Sequence, residues 1–284
     1  MSTEGNKKIK RLMLIESVIA GVLILALVIL MVVKRPEKRA SDDGSSSEES
    51  TETTKDILPP PEANPVGTED FAMDGAYLTC LTAPSVLGID VSEWQGQIDW
   101  EQVKAAGIEF VMIRIGWRGT ETGKLAADEM AQKNYEGAAA AGLKVGGYFF
   151  SQAMNVQEAK DEAAFLLKIV KNWKLDMPVV FDWEYAGEDS RAGATDTRTL
   201  TDCAKAFCDE IAAAKLTPMI YFNSNQSHNQ LYLRELTDYG FWLAQYNTTL
   251  EYPYKVDMWQ YTNKGSVPGI AGNVDINLYF PWEE

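Results

Sequence analysis

From residue 85 onward the chain sets short apolar runs at regular intervals, with amphipathic stretches between the early ones. This alternation restricts the fold more than any other feature. Runs at 86–91, 110–115, 144–150, 178–181, 218–222, 241–245, 257–261 and 274–279 have the length and the β-branched and aromatic content of strands. Segments 100–106, 125–141, 156–173 and 199–215 read as helices. Asn155 is placed to cap the third, whose Ala159, Ala163, Leu166, Leu167 and Val170 keep helical spacing. Ala106-Gly107 and Ala141-Gly142 mark C-terminal stops. Strand, helix, strand repeats make neighbouring strands parallel. Eight strands in about 200 residues predict the α/β class, an irregular TIM-like (β/α) barrel with eight strands and about five helices. The last three strands are joined by connections too short for full helices, so irregularity is expected there. A doubly wound open sheet is the alternative, but no Gly-rich phosphate loop follows the first strand.

Chemistry gathers in the run from Pro178 to Tyr185, where apolar residues end in Asp182 and Glu184. A spacing of two along a strand points both carboxylates to one face, about 7 Å apart along the backbone. A buried strand has no packing reason for two such charges, since each costs several kcal/mol to desolvate unless paired or used. Phe181, Trp183 and Tyr185 suit a cleft that stacks on sugar faces. In a parallel barrel the active site forms at the C-terminal strand ends. Polar residues stand at those ends: Asp90, Tyr148 to Ser151, Asn223 and Asn225, Gln260 and Tyr261, and Asp275 with Asn277. Four carboxylates on one rim repel, which should raise at least one pKa and supply a group still protonated near neutrality. Glycoside hydrolysis needs such a proton donor beside an ionised partner. Glu184, with the longer reach, is the expected general acid/base. Asp182 is the expected anion, either a nucleophile or the group that orients a substrate N-acetyl to attack in its place.

Composition removes other classes. A net charge of -15 leaves no basic stripe outside the extreme N-terminus, which argues against nucleic acid. With one histidine, His228, a His-based zinc site or a Ser/His/Asp triad is disfavoured, and no metal or cofactor is expected. Cys203 and Cys208 lie five apart in a helical segment and point away from each other, while Cys80 stands alone, so no disulfide framework is expected.

The first 84 residues differ in kind. Residues 17–33 form an uncharged apolar run of 17 residues, extended across Glu16 by 12–15, long enough to span a hydrocarbon layer of about 30 Å. A transmembrane helix at 12–33 is expected, preceded by a basic segment at 1–11. A cleaved signal peptide fits less well, because the apolar region is too long and no small-x-small site follows. Lys7, Lys8, Lys10 and Arg11 on one side balance Lys34, Arg35, Lys38 and Arg39 on the other, so charge does not orient the helix. Residues 41–64 carry seven acids against one base, with Ser, Thr and a Pro-Pro-Pro run, and read as a disordered stalk. Stalk and lead-in together cover 34–84, and a catalytic domain is expected at 85–284.

Six motifs in order resemble glycoside hydrolase family 25, the lysozyme-type N-acetylmuramidases. They are Gly88-Ile89-Asp90-Val91-Ser92-Glu93-Trp94-Gln95-Gly96 with Ile98-Asp99-Trp100; Ile113-Arg114-Ile115-Gly116; Gly147-Tyr148-Phe149-Phe150-Ser151; Phe181-Asp182-Trp183-Glu184; Met258-Trp259-Gln260-Tyr261; and Val274-Asp275-Ile276-Asn277. The resemblance implies cleavage of the β-1,4 bond from N-acetylmuramic acid to N-acetylglucosamine in peptidoglycan. It implies Glu184 as acid/base, Asp182 as its partner, and Asp90 and Asp275 as flanking acids. Tyr148, Gln260, Tyr261 and Asn277 would line the saccharide groove. With the apolar run, it suggests a bacterial enzyme tethered at the outer face of the cell membrane for wall remodelling, its partner a peptidoglycan glycan strand. Two alternatives remain. One is a chitinase-like family 18 hydrolase, although Val180 and Pro178 stand where that family's upstream acids would be. The other is a non-catalytic glycan-binding module.

Overall fold

The computed structural model describes residues 58–282. In chain order it contains a hairpin of β1 (Phe71–Asp74) and β2 (Tyr77–Cys80), then β3 (Val86–Val91), α1 (Trp100–Ala105), β4 (Phe110–Arg118), β5 (Leu125–Ala127), α2 (Ala131–Ala140), β6 (Lys144–Ser151), α3 (Val156–Ile169) and β7 (Val179–Trp183). It continues with α4 (Thr197–Ala213), β8 (Pro218–Asn223), α5 (Ser224–Asn229), β9 (Gly240–Ala244), β10 (Met258–Gly265) and β11 (Val274–Tyr279). Strands β3, β4, β6, β7, β8, β9, β10 and β11 close on themselves, with β3 hydrogen-bonded to both β4 and β11. The expected eight-stranded barrel with about five helices is therefore what the described residues form.

Side-chain caps start the helices where the sequence offers them. Asp99, Asn155 and Asp196 accept the backbone N–H groups of Gln102, Glu158 and Thr199, ahead of α1, α3 and α4. The barrel interior is built in two levels. Phe110, Met112, Val180, Met219, Trp242 and Met258 fill the lower part as one apolar cluster. Bulk is balanced by glycine across the pairing. A Cβ on Gly88 would lie 2.3 Å from the Phe110 ring, its partner in register, and one on Gly146 would lie 2.6 Å from the Met112 sulfur. One step further along the same inward-facing rows the residues turn polar: Asp90, Arg114, Tyr148, Asp182, Tyr221, Gln260 and Asp275. A second, larger apolar cluster lies outside the strands, between the sheet and its helices.

Four expectations are corrected. Segment 125–141 is not one helix: Leu125–Ala127 pairs antiparallel with the end of β4. Asp128 enforces the break, because its carboxylate accepts the backbone N–H groups of Met130 and Glu93 and is drawn into the Arg114 ion pair. The segment at 156–173 leaves α-helical geometry at Ile169 and ends in a 3-10 turn, Val170–Asn172. The last strand runs antiparallel to both neighbours. Its beginning, not its end, therefore lies on the rim with the C-terminal ends of the parallel strands.

The boundary expected at residue 84 falls inside the folded unit. Among the described residues no α-helix follows β9 or joins β10 to β11, so the outer faces of those strands need another cover. The lead-in supplies it: Phe71 packs edge-on against Trp259 (centroids 5.0 Å apart) and Phe280 (6.4 Å), and the Leu78 N–H donates to the Tyr261 hydroxyl (3.4 Å). Ala63 bridges to Tyr254, and Lys255 pairs with Glu62. Val66, Leu78 and Cys80 are buried. The predicted membrane helix at 12–33 and the stalk through residue 57 lie outside the described residues. Among the described residues no helix is long and apolar enough to cross a membrane.

Candidate active site

The polar upper level of the barrel opens into a cleft of two adjoining lobes, about 350 and 280 Å3, which share Asp90, Tyr148, Asp182, Glu184 and Asp275 among their walls. Asp182 is the fourth residue of β7 and points into the barrel, 4% exposed; Glu184 follows one residue past the strand and is exposed at the mouth. The spacing of two thus places both carboxyls in one cleft. Asp90 on β3 and Asp275 on β11 are direct partners in the antiparallel ladder, which brings the first and last strands of the barrel to the same point.

A directed hydrogen-bond network holds Asp90. Its Oδ2 accepts N–H groups from Gln260 and Asn277, each at 2.8 Å. Both amides are oriented from behind: the hydroxyls of Tyr221 (3.1 Å) and Tyr246 (3.0 Å) donate to Gln260 Oε1, and the Trp242 indole N–H donates to Asn277 Oδ1 (2.9 Å). With their oxygens occupied, the amides can offer Asp90 only donors. Burial raises the Asp90 pKa to about 6, against the lowering by these donors. Asp275 rises to about 8, first through burial, then through the charge of Asp90 and the hydrogen bond between the two. The titration therefore belongs to the pair, which keeps a shared proton near neutrality.

Asp182 is raised well above the ordinary carboxylate range, by burial first and then by Glu184 and Asp90, and Arg114 offsets this only in part. Glu184 is raised as well, by the desolvating cleft wall and then by Asp90. Repulsion among the acids is thus real but secondary to burial. Asp182 Oδ1 is buried without a hydrogen-bond partner among the described residues. Among the described residues Arg114 is the only cation lining either lobe, and its guanidinium is already engaged by Asp128 (2.8 Å) and Glu93 (3.0 Å).

Of the other expected site residues, Tyr148 and Gln260 line the cleft. Asn277 does not: it is fully buried beneath the floor and acts on Asp90. Tyr261 follows Gln260 on β10, so its ring turns out of the barrel toward the hairpin. Asn223 and Asn225 also lie elsewhere, because Asn223 caps α5 and Asn225 bonds to Asn229. Tyr221, Trp242 and Tyr246 line the larger lobe and were missed. The inward register of β8 and β9 would have found the first two, but nothing local marks Tyr246, which reaches back from the loop after β9. Two buried glutamines were missed as well. The backbone carbonyl of Trp183 accepts from Gln226 Nε2 (2.6 Å) and that of Glu184 from Gln152 Nε2 (2.7 Å). Together they fix the segment that carries the acid past the end of the ladder.

The sequence matches the family described as Glycosyl hydrolases family 25 over residues 89–270. The chain belongs to glycosyl hydrolases family 25. It is accordingly a glycoside hydrolase, and the family 18 alternative finds no support. Among curated relatives, this family 25 chain is 27% identical to Lysozyme M1 of Streptomyces globisporus over 68% of its own length and 67% of the relative's. Among solved structures it is similar to the bacterial lysozyme from Streptomyces coelicolor, at 26% identity and a TM-score of 0.58, covering 70% of this chain and 93% of that one. It is also similar to the modular autolysin LytC from Streptococcus pneumoniae, solved in one case in complex with a synthetic peptidoglycan ligand, at 26% identity and a TM-score of 0.61. That likeness covers 69% of this chain but 47% of LytC, so the chain matches about half of that protein's length.

Proposed function

We propose that the chain is an N-acetylmuramidase that cleaves the β-1,4 bond between N-acetylmuramic acid and N-acetylglucosamine in peptidoglycan, tethered by an N-terminal helix at the outer face of the cell membrane. The observation that carries the hydrolase chemistry is the pair Asp182 and Glu184 in one cleft with raised pKa values. Family membership and the lysozyme relatives support the substrate. Glu184 is the general acid/base, because it is the exposed member and reaches a glycosidic oxygen lying across the mouth. Its raised pKa keeps a protonated fraction at higher pH than an ordinary glutamate would. Asp182 on the floor assists at the anomeric side, as nucleophile or by orienting the N-acetyl group. Because the two interact, the proton belongs to the pair, and Glu184 delivers it to the leaving oxygen while Asp182 is ionised. Asp90 and Asp275 supply a fixed negative field and a hydrogen-bond donor beside a centre that becomes cationic in an oxocarbenium-like transition state.

The test is mass analysis of fragments released from purified peptidoglycan by the wild-type chain and by Glu184→Gln, which keeps the shape but cannot cycle a proton. Reducing-end N-acetylmuramic acid from the wild type, and a loss of roughly a hundredfold or more in the variant, is the expected result. Unchanged hydrolysis by the variant would remove Glu184 from its role. Glycan binding without cleavage by the wild type would favour the binding-module alternative. For the tether, the full chain should fractionate with membranes, and a chain starting at residue 41 should not.

A further inference from the structure

A groove of about 620 Å3 continues the cleft past Tyr246 and Asn263, which line both. Its far wall is the hairpin, through Met73 and Leu78, and its near wall is the end of β10 with Lys264. The hairpin at 71–80 precedes the family match, which begins at residue 89.

The two spaces differ in charge. Asp90, Asp182, Glu184 and Asp275 all line the larger lobe of the cleft. Among the described residues no carboxylate lines the groove, although the whole chain carries 41 acids and a net charge of -15, and the one charged residue there is Lys264. Lys264 is exposed and makes no ion pair among the described residues. Unlike Arg114, it is free to meet a ligand's charge. The remaining surface alternates thioether and aliphatic groups with hydroxyls and side-chain amides. Such a surface suits a chain of small apolar side chains on an amide backbone, with a carboxylate for the lysine. A carbohydrate without acid groups would leave the cation unused.

We infer that this groove binds the carboxylate-bearing peptide stem that branches from the sugar held in the cleft, so that the enzyme distinguishes peptide-substituted glycan from bare glycan. This rests on the peptidoglycan reading above and deepens it. The lead-in hairpin then serves recognition as well as packing, and Lys264 is a specificity-determining residue outside the acid cluster.

Two measurements on the full chain test the inference. The first compares kcat/KM on peptidoglycan with that on the same glycan stripped of its stems by an amidase, for wild type and Lys264→Glu. Lys264→Glu is expected to lose roughly five- to tenfold on the stem-bearing polymer and to stay within about twofold on the stripped one, as for one ionic contact replaced by like-charge repulsion at a partly open site. Equal loss on both polymers, or no loss on either, would overturn the stem assignment. The second needs no turnover and so separates this inference from the hydrolase reading. The methyl resonance of Met73, 57% exposed, is followed while a synthetic stem tetrapeptide with a free C-terminal carboxylate, its C-terminal amide, or a chitin oligosaccharide is added. A shift with the carboxylate peptide that weakens with the amide and disappears in Lys264→Glu supports the groove. No shift, or an equal one with the oligosaccharide, refutes it, whether or not the wild type cleaves the wall.

Discussion

Gln152 is fully buried just past the end of β6, and its amide nitrogen donates to two carbonyl oxygens, Ser151 O at 2.9 Å and Glu184 O at 2.7 Å. Both partners are acceptors, so the amide cannot be turned round, and its Oε1 is left buried without a partner. Gln152→Met removes both donors at a cost of about 1 kcal/mol each. It also removes the orphaned oxygen, whose burial costs about 1 to 3 kcal/mol. The two nearly cancel, and Met fills the site at similar volume. The net change in stability should stay within about 1 kcal/mol, or roughly 2 to 4 °C in Tm for a domain of this size. Turnover should not be spared. The pairing of β6 with β7 ends at Ser151 and Trp183, so the Glu184 carbonyl has no ladder partner to replace the lost one. A carboxyl displaced by about 1 Å can lose up to a hundredfold in rate, and kcat is expected to fall roughly 10- to 100-fold with KM little changed. Reducing-end release with saturating peptidoglycan, alongside calorimetry, reads both quantities. A kcat within about twofold of wild type would refute the positioning argument, and so would a loss matched by a Tm drop of more than roughly 10 °C.

Other expectations concern the fold that carries the cleft. The folded pKa values of Asp90 (about 6) and Asp275 (about 8) lie above the ordinary 3.8. The folded state therefore binds more protons than the unfolded one; this contribution is full below about pH 4 and is lost as pH rises toward 8. Tm should accordingly fall between pH 5 and pH 8, and Asp275→Asn should flatten that slope; a Tm that rises over the range contradicts the assignment. Arg118 pairs with the buried Glu162 at 2.6 Å and donates to the Gly123 and Glu158 carbonyls. Arg118→Met strands that carboxylate, and denaturant unfolding should show a loss of about 3 to 5 kcal/mol, partly restored by adding Glu162→Gln. Gly88→Ala drives a methyl into the Phe110 ring; soluble yield should collapse and recover with Phe110→Leu, whereas a normal yield for the single variant would show the barrel floor to be softer than its packing suggests.

The period of the apolar runs made the barrel legible because strands buried on both sides leave short, continuous signals at even spacing. Asp182 and Glu184 were legible for a similar reason, since two acids closing an apolar strand admit few structural explanations. The direction of β11 was not, because the residues that set it, the turn after Gly265 and the pairing of Asp275 with Asp90, act between distant parts of the chain. Tyr261 was misplaced although its parity with Gln260 was visible: on one strand the two cannot face the same side. Gln152 and Gln226 left no trace, because a buried side-chain amide serving a neighbour's carbonyl looks in sequence like any polar residue at a strand end. The role of 71–80 depended on what the barrel lacks, an outer helix over its last strands, which becomes apparent only once the barrel is closed.

Reversal of the final strand has a practical corollary. Because β11 runs from the rim downward, Trp282 ends beside the residues that precede β10, donating its indole N–H to Val256 O. The segment at 58–64 meets the same stretch through Tyr254 and Lys255. Both ends of the folded unit therefore emerge at the base, on the side away from the acids. Fusing a reporter, or fixing the protein to a bead, at either end should leave the mouth unobstructed, whereas the loops after β7 and β9 would not tolerate such additions.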